Sequence, residues 1–130
     1  MTIYSYSRTS ELEATKGHDA LEAMLEPELL AIQTYCLSHQ WFMTETLNDH
    51  GCSWNQDLHK REQGRRLLDL LKSGDIVLCA KLERIVSSSQ EAVKLIKKLR
   101  ERNVQLHIVE LGGDITDPDL KVSVDKMALL

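Results

Sequence analysis

Five residues of this chain have the types needed to handle a phosphate ester: Ser10, Arg8, Arg61, Glu83 and Arg84. A serine hydroxyl among arginines suits nucleophilic attack on a phosphate diester. The guanidinium groups bind the anionic oxygens, stabilise the charge of the pentavalent transition state and favour the alkoxide. A carboxylate such as Glu83 can orient an arginine or move a proton, and Lys81 adds another phosphate-binding cation. Single Arg and Ser residues in loops are ordinarily surface residues. The grouping therefore has meaning only if the fold brings these positions together.

The elements between them set that condition. Thr2 to Arg8, with Ile3, Tyr4 and Tyr6, has strand composition. Ala20 to His39 has helical spacing in Leu21, Met24, Leu25, Leu29, Ile32 and Cys36; Pro27 predicts a break there, giving a short helix and then a longer one. Trp41 to Leu47 is expected as a second strand, and Asn48 to Gln56 as a loop rich in turn formers. A helix over Arg61–Lys72, ended by Ser73-Gly74, leads into the apolar run Ile76–Ala80, a strand buried on both faces. Ser87 to Arg102 is a helix capped by Ser87, Ser88 or Ser89. Val104 to Leu111 alternates as a strand, Gly112–Asp114 turns, and Asp117-Pro118 opens a last helix to Leu130.

Strands alternating with helices predict an α/β fold of three layers, a mainly parallel central sheet with helices on both faces. Chemistry in such folds sits at the carboxyl ends of the strands. Arg8 and Ser10 follow the first strand, and Lys81, Glu83 and Arg84 follow the third.

The 130 residues allow one domain, and 42% apolar with 28% charged residues is ordinary for a globular chain. The start of the chain has no signal pattern and no apolar run approaches a membrane span, so an intracellular, cytoplasmic protein without a membrane partner is expected. Three cysteines without CxxC spacing argue against a disulfide framework and a zinc site. His50 and Cys52 lack further ligands at suitable spacing, so no metal and no cofactor is expected. Cys79 and His107 are expected as packed residues, and Trp41 and Trp54 are too few for a base-stacking platform. The net charge of −4 hides an asymmetry. Residues 60–102 hold 12 basic and 6 acidic groups, whereas residues 1–59 hold 2 basic and 9 acidic.

Three blocks of the sequence resemble the resolvase/invertase family of serine recombinases. Tyr6-Ser7-Arg8-Thr9-Ser10 is similar to its Tyr-x-Arg-x-Ser opening. Arg61, Leu67-Leu68, Gly74-Asp75, Ile76–Leu78 and Lys81-Leu82-Glu83-Arg84 resemble its second block, in which an arginine stands 14 positions before the Asp of Gly-Asp. Ala92 to Asp114, with the Gly112-x-Asp114-x-Thr116 turn, resembles the next helix and strand. The resemblance covers most of the chain.

It implies a catalytic domain over residues 1–130 that cuts and rejoins DNA at specific sites. Ser10 would be the nucleophile, Arg8, Arg61 and Arg84 the phosphate ligands, and Glu83 the assisting carboxylate, where Asp is usual. It also implies a dimer or tetramer built through a helix that begins near the end of this chain, and a DNA-binding region that the chain does not include. Met127–Leu130 forms an apolar end expected to pack against a partner or a continuing segment.

Three departures bear on activity. Ser87 stands where the family has a further arginine, and a hydroxyl cannot replace a guanidinium fork. Either Ser87 only caps a helix, or a nearby cation such as Lys81 compensates. Glu83 for Asp lengthens the carboxylate arm, and Glu28 stands where Gln is common. Weakened catalysis is expected; the alternative is a non-catalytic interaction module of the same fold. A receiver-type signalling domain, which shares the βα rhythm, fits poorly because basic residues stand where it needs acidic ones.

Overall fold

A computed structural model of the chain describes residues 1–10, 15, 17–52 and 55–117. Its elements are β1 (Ile3–Ser10), α1 (His18–Ser38), β2 (Glu45–Cys52), a 3₁₀ turn (Leu58–Lys60), α2 (Glu62–Leu70), β3 (Ile76–Cys79), α3 (Leu82–Ile85), α4 (Ser89–Glu101), β4 (Gln105–Ile108), a second 3₁₀ turn (Val109–Leu111) and β5 (Gly113–Asp114). The sheet has five strands in the order β2-β1-β3-β4-β5. All pairings are parallel except the antiparallel β4–β5 edge. The three-layer, mainly parallel arrangement expected from the sequence is the observed one.

Alternation along β3 divides the core. Val77 and Cys79 join the larger cluster under α2 and α4, with Leu67, Leu95, Ile96, Leu99 and Leu106. Ile76 and Leu78 face the other way, against Ile32 and Cys36 of α1. Cys79 is fully buried, and burial pushes its thiol well above the usual value, as suits an inert core residue. His107 is buried too; its ring bonds the Tyr35 hydroxyl at 2.6 Å and Gln105 Oε1 at 2.8 Å.

Several expected boundaries move. α1 is one helix that runs through Pro27. Its inward positions, Leu21, Met24, Leu25, Glu28, Ala31, Ile32, Tyr35 and Cys36, keep one register across the proline. The packing of Ile32 and Cys36 into the core and the contact of Glu28 with Arg84 outweigh the one backbone hydrogen bond that Pro27 removes. β2 begins at Glu45 and runs into the segment expected as a loop, because its backbone pairs with β1 from Tyr4↔Glu45 to Ser10↔Cys52. As an edge strand it needs only one buried side, and polar residues fill the other. The strand expected over Val104–Leu111 is four residues followed by a 3₁₀ turn, and the Gly112–Asp114 turn holds the short β5. Ser53, Trp54 and the segment 118–130, including the expected last helix and its apolar end, lie outside the described residues. No helix among the described residues is long and apolar enough to cross a membrane.

Candidate active site

The parallel strands β1 and β2 and the turn after β3 deliver the proposed site to one end of the sheet. Arg8 lies near the end of β1 and Ser10 is its last residue; the Ser10 side chain lies outside the described part. Between Arg8↔Asp49 and Ser10↔Cys52 the register slips by one residue, which makes a bulge in β2. Gly51 supplies the positive φ of 71° that this bulge requires. Its N–H donates to Thr9 Oγ1 at 3.1 Å, and the same hydroxyl meets His50 Nδ1 at 3.3 Å. The bulge is thus tied to β1 at the residue next to Ser10.

Three arginines converge there, and all are buried: Arg8 is 8%, Arg61 1% and Arg84 7% exposed. Their side chains hold backbone carbonyls of the cluster and its neighbour Glu83. Arg8 Nη2 donates to the Glu83 carbonyl at 2.8 Å, Arg84 Nη1 to the Arg8 carbonyl at 3.2 Å, and Arg61 Nη1 to the Arg84 carbonyl at 2.9 Å. Burial, followed by the charges of Arg61 and Arg84, lowers the Arg8 pKa from the ordinary arginine value. Two guanidinium nitrogens inside this cluster, Arg8 Nε and Arg61 Nη2, have no hydrogen-bond partner among the described residues. Buried donors are nearly always satisfied, so the cluster is complementary to an anion.

Arg61 is positioned by a residue that composition conceals. Asp49, in the segment expected as a loop, is buried on β2. Its carboxylate accepts the N–H groups of Gln63 and Gly64, each at 2.8 Å, and so caps the α2 end at which Arg61 is the N-cap. It also accepts the Tyr6 hydroxyl at 2.7 Å, and that hydroxyl receives Arg61 Nη1 at 3.3 Å. Burial raises the Tyr6 pKa far above normal, so the hydroxyl keeps its proton for Asp49. Arg61 Nε donates to the Gln56 carbonyl at 2.9 Å. Gly64 is required beside it: a Cβ there would lie 2.3 Å from the Leu58 carbonyl oxygen.

The remaining residues divide. Glu83 offers the cluster its backbone carbonyl, while the residue is exposed. Lys81 is half-buried and is the N-cap of α3. Ser87 bonds acidic groups instead of presenting a cation: Oγ to Glu91 Oε1 at 3.0 Å and to Asp57 Oδ1 at 3.2 Å. Ser88, not Ser87, is the N-cap of α4, accepting the Glu91 N–H at 3.1 Å. Glu28 joins the site from α1, with Oε1 3.0 Å from Arg84 Nε and Oε2 2.8 Å from Arg84 Nη2. One sequence signal could have found it, namely a carboxylate standing in an otherwise apolar helical stripe.

The family model for the resolvase N-terminal domain matches residues 3–130. The chain belongs to that family. This resolvase-family domain is 36% identical over 121 residues to the serine recombinase PinR of Escherichia coli strain K12, covering 92% of the chain and 56% of PinR. It is 26% identical over 115 residues to the transposon Tn2501 resolvase of Escherichia coli, covering 88% of the chain and 53% of that protein. The chain thus spans about half the length of the curated relatives it matches. Its fold matches a resolvase family site-specific recombinase from Streptococcus pneumoniae with a TM-score of 0.69 at 21% identity, covering 95% of this chain and 82% of that one.

Proposed function

We propose that this domain cuts and rejoins DNA through a phosphoserine intermediate formed on Ser10. The observation that carries the reading is the buried cluster of Arg8, Arg61 and Arg84 at the end of the strand that Ser10 closes, with two of its donors unpartnered among the described residues. In the step proposed, Ser10 Oγ bonds to phosphorus and the P–O3′ bond breaks. The serine loses its proton, the departing 3′ oxygen gains one, and the 5′ phosphate remains esterified to serine. One phosphoester replaces another, so rejoining is the same step in reverse and needs no cofactor. Arg8, Arg61 and Arg84 neutralise the phosphate oxygens, with Lys81 as a further contact and Glu83 beside them for proton transfer. Such contacts position DNA without reading its sequence. The reaction belongs in the cytoplasm, and self-association as a dimer or tetramer through the segment after Asp117 completes the assembly.

The test is recovery of DNA covalently bound to the protein from cells that express it, with sequencing of the attached ends. A single serine-linked 5′ end, lost in Ser10→Ala, is expected. An adduct that persists in Ser10→Ala overturns the assignment of the nucleophile.

The hydrogen bonds of Ser87 to Asp57 and Glu91 favour a second reading, a non-catalytic module that pairs with a partner. That reading expects no adduct and concentration-dependent association in sedimentation; a monomer at all concentrations counts against it.

A further inference from the structure

Glu28 occupies the part of the site that an incoming phosphate needs. Its two oxygens take the Nε and Nη2 positions of Arg84 in a side-on fork, at 3.0 and 2.8 Å, with side-chain exposures of only 9% for Arg84 and 11% for Glu28. That edge of a guanidinium donates to two anionic oxygens at once. Arg84 Nη1 is already directed to the Arg8 carbonyl. A phosphate diester and Glu28 therefore compete for the same two nitrogens. We propose that Glu28 is an internal stand-in for the phosphate, which holds Arg84 in the resting domain and must be displaced before Arg8, Arg61 and Arg84 can bind one anion together. This rests on the phosphate-binding reading above and adds a gate to it.

The packing of α1 fits such exchange. Glu28 lies in the inward stripe of the helix, where its neighbours Met24, Leu25, Ala31 and Ile32 are apolar. A carboxylate at that depth is tolerated only with a cation beside it. The buried core residues of α1, Ile32 and Cys36, both lie C-terminal to Glu28, in the smaller core cluster. Leu21, Met24 and Leu25, on the N-terminal side, are only half-buried. The part of the helix that carries the gate is thus the less firmly packed part. Arg61, by contrast, is held by three hydrogen bonds and needs no rearrangement to offer its unpartnered Nη2.

The experiment is titration of the domain with inorganic phosphate, followed by calorimetry and by NMR of the Arg84 Nε–H and the Glu28 carboxylate carbon. In the unmodified chain, saturating phosphate is expected to shift both signals together. Glu28→Gln removes the competing charge and is expected to bind phosphate about tenfold more tightly, a gain of about 1.4 kcal/mol. Its affinity for generic duplex DNA should also acquire a steeper salt dependence, by about one unit of slope, for one further phosphate contact. A Glu28 signal unmoved at saturation overturns the proposal, even if Glu28→Gln fails to fold. So does a folded Glu28→Gln with unchanged or weaker phosphate affinity. The two readings fail separately. An adduct that persists in Ser10→Ala, together with tighter phosphate binding by Glu28→Gln, removes the chemistry and keeps the gate. Loss of the adduct in Ser10→Ala with no change of phosphate affinity in Glu28→Gln removes the gate and keeps the chemistry.

Discussion

On the α2/α4 side of the sheet 19 buried residues form one cluster, whereas the α1 side has 6 among the described residues. The well-packed side delivers Arg61, whose backbone starts α2 and whose side chain is fully buried. The thinner side delivers Glu28, and its helix leaves Leu29, Leu30 and Leu37 exposed. The site therefore joins a rigid half to a half that has less to lose by moving. The proposed phosphate-binding role would benefit from that division, because fixed dipoles stabilise charge without reorganising, while access needs one element that yields.

The comparison can be broken most severely at Arg61. Arg61→Ala leaves the Gln56 and Arg84 carbonyls and the Tyr6 hydroxyl without their donor, which should cost about 5 kcal/mol in urea unfolding. Arg61→Lys should recover only part of this, since an ammonium cannot reproduce the planar set of bonds. Core truncations compare the two sides directly. Leu67→Ala, on the inner face of α2, is expected to cost roughly 3–4 kcal/mol, and Ile32→Ala, on the inner face of α1, nearer 2 kcal/mol, by the same measurement. Equal losses would contradict the unequal packing.

The α1 side should also respond to acid. Burial lowers the His107 pKa below its ordinary 6.5, against an opposing pull from Asp114, and nearby His39 lowers it further. The unfolded chain then binds the proton more readily than the folded one. Stability is fully present above about pH 6.5 and is lost as pH falls through the ordinary histidine value toward the lowered one. Thermal unfolding across pH 7 to 5 should show this slope, and His107→Gln should flatten it. The smallest effect is expected at Leu30, 61% exposed on α1. Leu30→Lys should change unfolding stability by no more than about 0.5 kcal/mol.

Much of the fold was legible because buried strands and docked helices leave periodic traces. Ile76–Ala80 read as a strand buried on both faces, and Ile76–Cys79 is one. The trace was misleading where one hydrogen-bonded partner decides the outcome. Asn48-Asp49-His50-Gly51 has the composition of a loop, yet it is strand because β1 lies beside it. That misreading concealed Asp49, the residue that caps α2 and anchors Tyr6 beneath Arg61. Pro27 has the chemistry of a break, yet α1 runs through it, with its inward positions in one register on both sides of the proline.

By itself the sequence determined the alternating α/β order, the family and the supply of arginines near a serine at strand ends, since residue type and spacing carry these directly. Only the tertiary structure decided that Arg8, Arg61 and Arg84 share one buried site, that Ser87 bonds Asp57 and Glu91, and that Glu28 occupies Arg84. These are contacts between residues far apart in the chain. Their partners are chosen by strand register and helix docking, which no local pattern of residues encodes.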